Sequence, residues 1–308
     1  MIAFLFPGQG SQAVGMGKAF HDASAAARAV FDEANAALGF DLRRVMFEGP
    51  ESALALTANT QPAVLTASVA AAAVCAERGL RPALAAGHSL GEYSALVVAG
   101  AMPLRDAVRV VRKRGEFMQD AVPVGTGAMA AIMGLPLEAV EGVVREAAQG
   151  QVVDVANVNS AQQIVIAGDR PAVERAVALA AERGGRKSVL LPVSAPFHCA
   201  LMQPAAERLA KELADVAVSD PTIPVVRNVD AGVTRAAKDV VPFLLRQVAS
   251  PVRWTACVQR LAAEGATAFV EVGPGRVLTA LTKRIVEEAR AFAVQDPGAL
   301  EKAAAAVA

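Results

Sequence analysis

An excess of charge of either sign is missing from this sequence. Its 308 residues carry 30 Lys and Arg against 30 Asp and Glu, a formal net charge of zero. A neutral chain has no basic footprint for phosphate backbones, so nucleic-acid binding is not expected. Cysteine is scarce: Cys75, Cys199 and Cys257 stand far apart with no Cys-x-x-Cys pair. That excludes a disulfide framework and fits a reduced, intracellular compartment. The three histidines, His21, His88 and His198, are equally scattered. No metal-ligand spacing such as His-Glu-x-x-His results, and no metal is expected. Aromatic residues make up only 4% of a chain that is 54% hydrophobic, so alanine and the aliphatic residues must build the core. At this length there is ample material for one.

Targeting and membrane signals are also thin. The N-terminal MIAFLFPGQG has no basic region ahead of its apolar run, which stops at Pro7, unlike a secretory signal. One uncharged stretch, Leu54 to Ala76, is long enough to consider as a membrane span. Asn59, Thr60, Gln61 and Pro62 interrupt it, and its second half is rich in Ala, Thr and Ser rather than Leu. It reads as a buried helix. A soluble, cytoplasmic protein is expected, with a monomer as the default.

What is present is an alternation of short apolar runs with longer helical patterns, the mark of an α/β fold with a parallel sheet. The run Ile2–Phe6, ended by Pro-Gly, reads as a buried central strand. Leu84–Ala86 runs into Gly87, and Ala266–Val272 ends at Gly273-Pro274-Gly275. Helices are expected over Ser24–Leu38, Pro62–Arg78, Leu104–Gln119, Pro204–Asp215 and Val277–Ala289, with a frayed Ala-rich tail after Glu301. The middle of the chain gives strand, helix, strand, strand, helix, strand from Gly127 onward, the β-α-β-β-α-β order of a ferredoxin-like unit. The expected architecture is an α/β-hydrolase-like parallel-sheet body, residues 1–124 and 193–308, with an inserted ferredoxin-like subdomain over residues 125–192. A cleft between the two is the natural ligand site.

Gly87-His88-Ser89-Leu90-Gly91 is a Gly-x-Ser-x-Gly pattern between an apolar run and a helical stretch, the setting of a nucleophile elbow. Glycines flank the serine because a tight strand-to-helix turn leaves no room for Cβ atoms. The turn presents Ser89 Oγ at a helix N-terminus and aims the Leu90 amide at a developing oxyanion. A glycine-rich turn with a capping serine is the plainer alternative. A nucleophilic serine needs a base. His88 adjoins it along the chain and must point elsewhere, and His21 lies in a polar, surface-like stretch. That leaves His198, in LPVSAPFHCALM. Its neighbour Cys199 reads as a small buried residue.

Arg114 is the most informative position. At about 100° per residue, Leu104, Ala107, Val108, Val111 and Met118 share one helix face, and Arg114 falls among them. A buried guanidinium is costly unless an acid meets it. The acid is either internal, making a structural ion pair, or belongs to the substrate, gripped by the planar fork. The loop Pro7-Gly8-Gln9-Gly10-Ser11-Gln12 sits at the end of the first strand, where α/β sheets place ligands, and the Gln9 amide could be a second oxyanion donor. Gly8-x-Gly10-x-x-Ala13 also matches a loose dinucleotide fingerprint. The acids that would complete it, Asp32 and Glu33, lie in a helical segment instead of at a strand end.

Six motifs in order, PGQGSQ, GHSLGEYSA around Ser89, Arg114-Gly115, NVNS around Asn159, PFHC at His198 and EVGPG at Gly273, resemble the malonyl-CoA:acyl carrier protein transacylases. The resemblance runs from Ile2 to about Ile285. It implies ping-pong acyl transfer with malonyl-CoA and holo acyl carrier protein as substrates and no other cofactor. By resemblance Ser89 is the nucleophile, His198 its base, Arg114 the grip on the malonyl carboxylate, and the Gln9 and Leu90 amides the oxyanion hole. Gln247 matches a position whose backbone carbonyl orients the histidine, and the family's Ser-His dyad requires no acid. Asn159 is implied as an acyl or pantetheine contact, and Phe197 as a residue that crowds branched acyl groups. Arg112, Lys113, Arg186 and Lys187 are candidates to meet the carrier protein. A serine hydrolase releasing free malonate and a non-catalytic carrier-docking module are the readings from other classes. The first differs from a transferase only in how well water is excluded.

Overall fold

The computed structural model describes residues 1–307. The described residues form ten strands: β1 (Ile2–Phe6), β2 (Leu84–Gly87), β3 (Gly127–Met133), β4 (Val153–Ser160), β5 (Gln163–Asp169), β6 (Lys187–Leu190), β7 (Val225–Val226), β8 (Val233–Thr234), β9 (Ala268–Val272) and β10 (Arg290–Val294). They form two sheets, β10-β9-β1-β2-β7-β8 and β4-β5-β3-β6.

In the first sheet all neighbours are parallel except β8, which returns antiparallel to β7. The continuous apolar run Ile2–Phe6 is the central strand, buried on both faces, as such runs are in parallel sheets with helices on each side. Its register pairs Phe6 with Gly87, so the loop after β1 and the turn after β2 leave the sheet side by side. Ligands of open parallel sheets gather at this carboxyl edge.

The second sheet is antiparallel, with the helices Leu137–Ala148 and Arg170–Glu182 packed against it around Ile132, Val140, Ile166 and Val173. This is the β-α-β-β-α-β order expected from the sequence. Backbone bonds hold it beside the main body: Val252 N–H donates to Ala156 O at 2.9 Å, and Val158 N–H donates to Val252 O at 2.9 Å.

The uncharged stretch is a buried helix, Thr57–Glu77, and no helix among the described residues is long and apolar enough to cross a membrane. It begins five residues before the start expected at Pro62. Asn59 Nδ2 donates to Ala53 O at 2.9 Å and Thr60 Oγ1 to Leu54 O at 2.6 Å, fixing a first turn ahead of the proline. That extra turn carries Gln61 into the interior. The helix expected over Val277–Ala289 ends at Ile285. Residues Arg290–Val294 pair with β9 as a parallel edge strand that its Ala content concealed. Nor is the chain frayed after Glu301, because Pro297–Val307 is a helix that buries Leu300 and Ala303.

Candidate active site

The turn from β2 to the helix Gly91–Val98 is as tight as the glycine pattern implies. A Cβ on Gly87 would lie 1.8 Å from Gly91 C, and one on Gly91 would lie 2.1 Å from Phe6 O. Between them Ser89 takes φ of 52°, a left-handed conformation unusual for a residue with a side chain. His198 has φ of 61°. Strain at two such residues persists only where the surroundings hold them, and it concentrates at functional sites.

The two side chains meet. Ser89 Oγ lies 2.6 Å from His198 Nε2, and His198 Nδ1 donates to the backbone carbonyl of Gln247 at 2.9 Å. That second bond places the proton on Nδ1 and leaves Nε2 free to accept from the serine. The His198 side chain is only 4% exposed. Burial, with the Arg114 charge beside it, pushes its imidazolium down to about 3, so it is neutral near pH 7. No carboxylate oxygen lies within 4.0 Å of its ring nitrogens among the described residues. His88 instead turns away from the nucleophile, its Nε2 2.9 Å from Asn159 Oδ1 and its ring against Trp254.

Arg114, 2% exposed on the helix Leu104–Asp120, comes from the apolar face that the wheel marked. No Asp or Glu oxygen lies within 4.0 Å of it among the described residues, so it is not half of an internal ion pair. Its Nη1 donates to Gln61 Oε1 at 2.8 Å, and its Nη2 to Gln247 Oε1 at 3.0 Å and to Ser89 Oγ at 3.1 Å. Its Nε has no hydrogen-bond partner among the described residues. A buried cation held by neutral acceptors has an unmet demand for an anion.

These groups line a cleft of about 400 Å³ together with Gln9, Leu90, Phe197, and Met129 and Asn157 from the small sheet. Neither the Gln9 nor the Leu90 backbone N–H donates to another group among the described residues. Asn159 lies behind the cleft on His88, and Asn157 on the same strand is the residue that faces it. Of the basic candidates, Arg112 and Lys113 both bond Glu116. No cluster of three or more His, Cys, Asp or Glu side chains that could hold a metal occurs among the described residues.

Three residues at the site were not anticipated. Gln61 accepts from Arg114, and the polar cluster Asn59–Gln61 in an apolar helix was its trace in the sequence. Asn228 comes from the loop after β7, where its Oδ1 accepts the Ser89 N–H at 2.7 Å and its Nδ2 donates to Gly87 O at 2.7 Å. Nothing in its local sequence marks it. Glu92, the single charge in the helix Gly91–Val98, accepts from the Asn228 backbone N–H and from Gln247 Nε2.

A serine on a strand-to-helix elbow, a neutral histidine held by a carbonyl and two free amides beside them define a site for covalent acyl chemistry. Comparison with known proteins narrows this. Residues 3–304 match the acyl transferase domain family. The chain is 51% identical to the malonyl CoA-acyl carrier protein transacylase of Escherichia coli (strain K12), covering 98% of each chain. It is 48% identical to that of Bacillus subtilis (strain 168), over 98% of this chain and 96% of the relative. Among solved structures, an acyl carrier protein S-malonyltransferase from Vibrio cholerae O1 biovar eltor str. N16961 superposes with a TM-score of 0.96 at 49% identity, covering 98% and 99% of the two chains. A malonyl-transacylase in complex with its type II polyketide synthase acyl-carrier protein gives a TM-score of 0.95 at 47% identity over 98% of each chain. The chain belongs to the malonyl CoA-acyl carrier protein transacylase family.

Proposed function

We propose that this protein moves a malonyl group from malonyl-CoA to the phosphopantetheine thiol of holo acyl carrier protein, through a malonyl ester on Ser89. It thereby supplies extender units for fatty acid or polyketide synthesis in the cytoplasm. The observation that carries the proposal is Arg114: a buried guanidinium with no carboxylate oxygen within 4.0 Å among the described residues, 3.1 Å from the nucleophile oxygen. The site demands an acyl group that brings its own anion.

His198 Nε2 takes the Ser89 proton as Oγ attacks the thioester carbonyl. The carbonyl oxygen becomes an oxyanion between the Gln9 and Leu90 amides, which bind it more strongly than the planar ground state. As the C–S bond breaks, His198 returns the proton to the departing CoA sulfur, leaving the ester on Ser89. The carrier's pantetheine thiol then gives its proton to His198, its sulfur attacks the ester, and Ser89 leaves with the proton. A thioester is exchanged for a thioester, so no further cofactor is needed. Arg114 holds the malonyl carboxylate throughout. An acetyl group leaves that guanidinium buried without its anion, a mismatch penalised as other unpaired buried polar groups are. Phe197, beside His198 in the cleft wall, limits room at the acyl α-carbon.

In this reading residues 125–192 form an inserted subdomain that closes the cleft over residues 1–124 and 193–308, keeping water from the ester. Steady-state assay with malonyl-CoA and holo acyl carrier protein tests it. Parallel double-reciprocal lines with malonyl-carrier as product are expected. Free malonate as the product, at a rate indifferent to the carrier, identifies a hydrolase instead.

A further inference from the structure

Glu92 takes no step in this chemistry, yet it lies 3% exposed beneath the site. No Lys, Arg or His nitrogen is within 4.0 Å of it among the described residues. Burying a carboxylate without a cation is costly, and burial pushes this one up to about 7. An apolar side chain of that size would fill the same space more cheaply.

One oxygen does two things. Glu92 Oε2 accepts from Gln247 Nε2 at 2.8 Å and from the Asn228 backbone N–H at 3.0 Å. A glutamine amide has opposite ends, and only an acceptor can hold the NH2 end. One Gln247 N–H goes to Glu92 and the other to the Ser89 carbonyl at 3.0 Å, which turns Oε1 towards Arg114. The backbone of the same residue carries the carbonyl that orients His198. Asn228, pinned through its own backbone, spends its side chain on the Ser89 elbow. Nucleophile, base and guanidinium are therefore each held by one of two residues that share a single carboxylate oxygen.

Resting on the acyl-transfer reading above, we infer that Glu92 is a positioning residue. Acting through Gln247 and Asn228, its Oε2 holds Arg114 and the Ser89 elbow in the geometry that selects acyl groups bearing a carboxylate. The role depends on the reach of the acceptor rather than on its charge, because both contacts are hydrogen bonds to one oxygen.

Glu92→Gln keeps the length and an acceptor oxygen, whereas Glu92→Asp keeps the charge and withdraws the oxygen by one methylene. Initial rates of Ser89 loading from malonyl-CoA and from acetyl-CoA, by intact-protein mass, give the malonyl preference for each. Glu92→Gln is expected to stay within about threefold of wild type or to exceed it. Glu92→Asp is expected to lose about tenfold or more, the scale of leaving one buried hydrogen-bonding group unpaired, chiefly through a raised KM for malonyl-CoA. A merely structural defect lowers loading from both donors alike and leaves the ratio unchanged. An unchanged ratio in Glu92→Asp, or an equal loss in both variants, overturns the positioning role while leaving the acyl-transfer reading intact. Wild-type protein that takes no malonyl group removes that reading and the role together.

Discussion

Arg114 Nη2 donates to Ser89 Oγ at 3.1 Å, so in the function proposed above the cation offered to the substrate's carboxylate also touches the oxygen that attacks the thioester. A guanidinium at that distance favours a serine oxygen approaching the alkoxide. Once an acyl group with its own carboxylate enters, the same fork has a stronger acceptor within the cleft. On that proposal, selection of the acyl group and activation of the nucleophile are joined in one side chain.

Arg114→Ala should separate them. Malonyl loading is expected to fall by roughly two to three orders of magnitude, because the substrate carboxylate is left buried without its charged donors. Loading from acetyl-CoA should fall far less or improve. Single-turnover rates with the two donors check this, and equal losses for both would show that the arginine acts on the serine alone.

The elbow glycines give a stability prediction. Gly91→Ala places a Cβ 2.1 Å from Phe6 O, a backbone atom of the central strand that cannot move aside. Overpacking of this kind is expected to cost about 3 kcal/mol or more, and to lower Tm by about 6 °C or more. Gly10→Ala meets nothing within 4 Å and carries only its left-handed φ of 99°, so its cost should be about 1–2 kcal/mol. Thermal unfolding of the pair, followed by circular dichroism, would contradict the account if the order were reversed.

The pH dependence follows from His198. With its imidazolium held down to about 3 by burial and by Arg114, the proposed base is already neutral well below pH 6. The rate of Ser89 malonylation is expected to be level between about pH 5 and pH 8. A rising limb centred on the ordinary histidine value of 6.5 would mean that the ring is not held neutral by its surroundings.

Glu92 titrates in the opposite sense. Its carboxyl is raised from 4.5 to about 7, chiefly by burial, against the pull of Gln247, Asn228, Arg114 and Arg227. Between those values the folded protein holds a proton that the unfolded chain has lost, so stability contributed by the protonated group is lost as pH rises through the window. Glu92→Gln has nothing to titrate there. Its Tm relative to wild type should therefore climb from pH 4.5 to 7 and then level off. A difference that stays constant across that range would show an unshifted carboxylate.

Much of this site was legible because the sequence breaks its own patterns there. Arg114 interrupts an apolar helix face, and the glycines around Ser89 leave room for only one kind of turn. His198 emerged by exclusion among three histidines. Gln61, Asn228 and Glu92 were not legible, because each acts through a contact made at long sequence separation, such as the 139 residues between Ser89 and Asn228. Glu92 is the lone charge on its helix, a signal that sequence reading passed over because a single acid does not say what it faces. The fold was read best where runs are continuous, as in β1. It was missed where pairing alone makes the element, as in the two-residue strands β7 and β8 and in β10, whose Ala-rich sequence suits a helix equally well.

The most direct test of covalent malonyl transfer is a chase of the isolated intermediate. The protein is incubated with malonyl-CoA, freed of CoA, mapped by peptide mass, and then mixed with holo acyl carrier protein. A malonyl group on the peptide carrying Ser89 that moves intact to the carrier's thiol is the predicted result. An adduct that decays to free malonate at the same rate with or without the carrier would contradict it, as would transfer by protein in which Ser89 never carries the group.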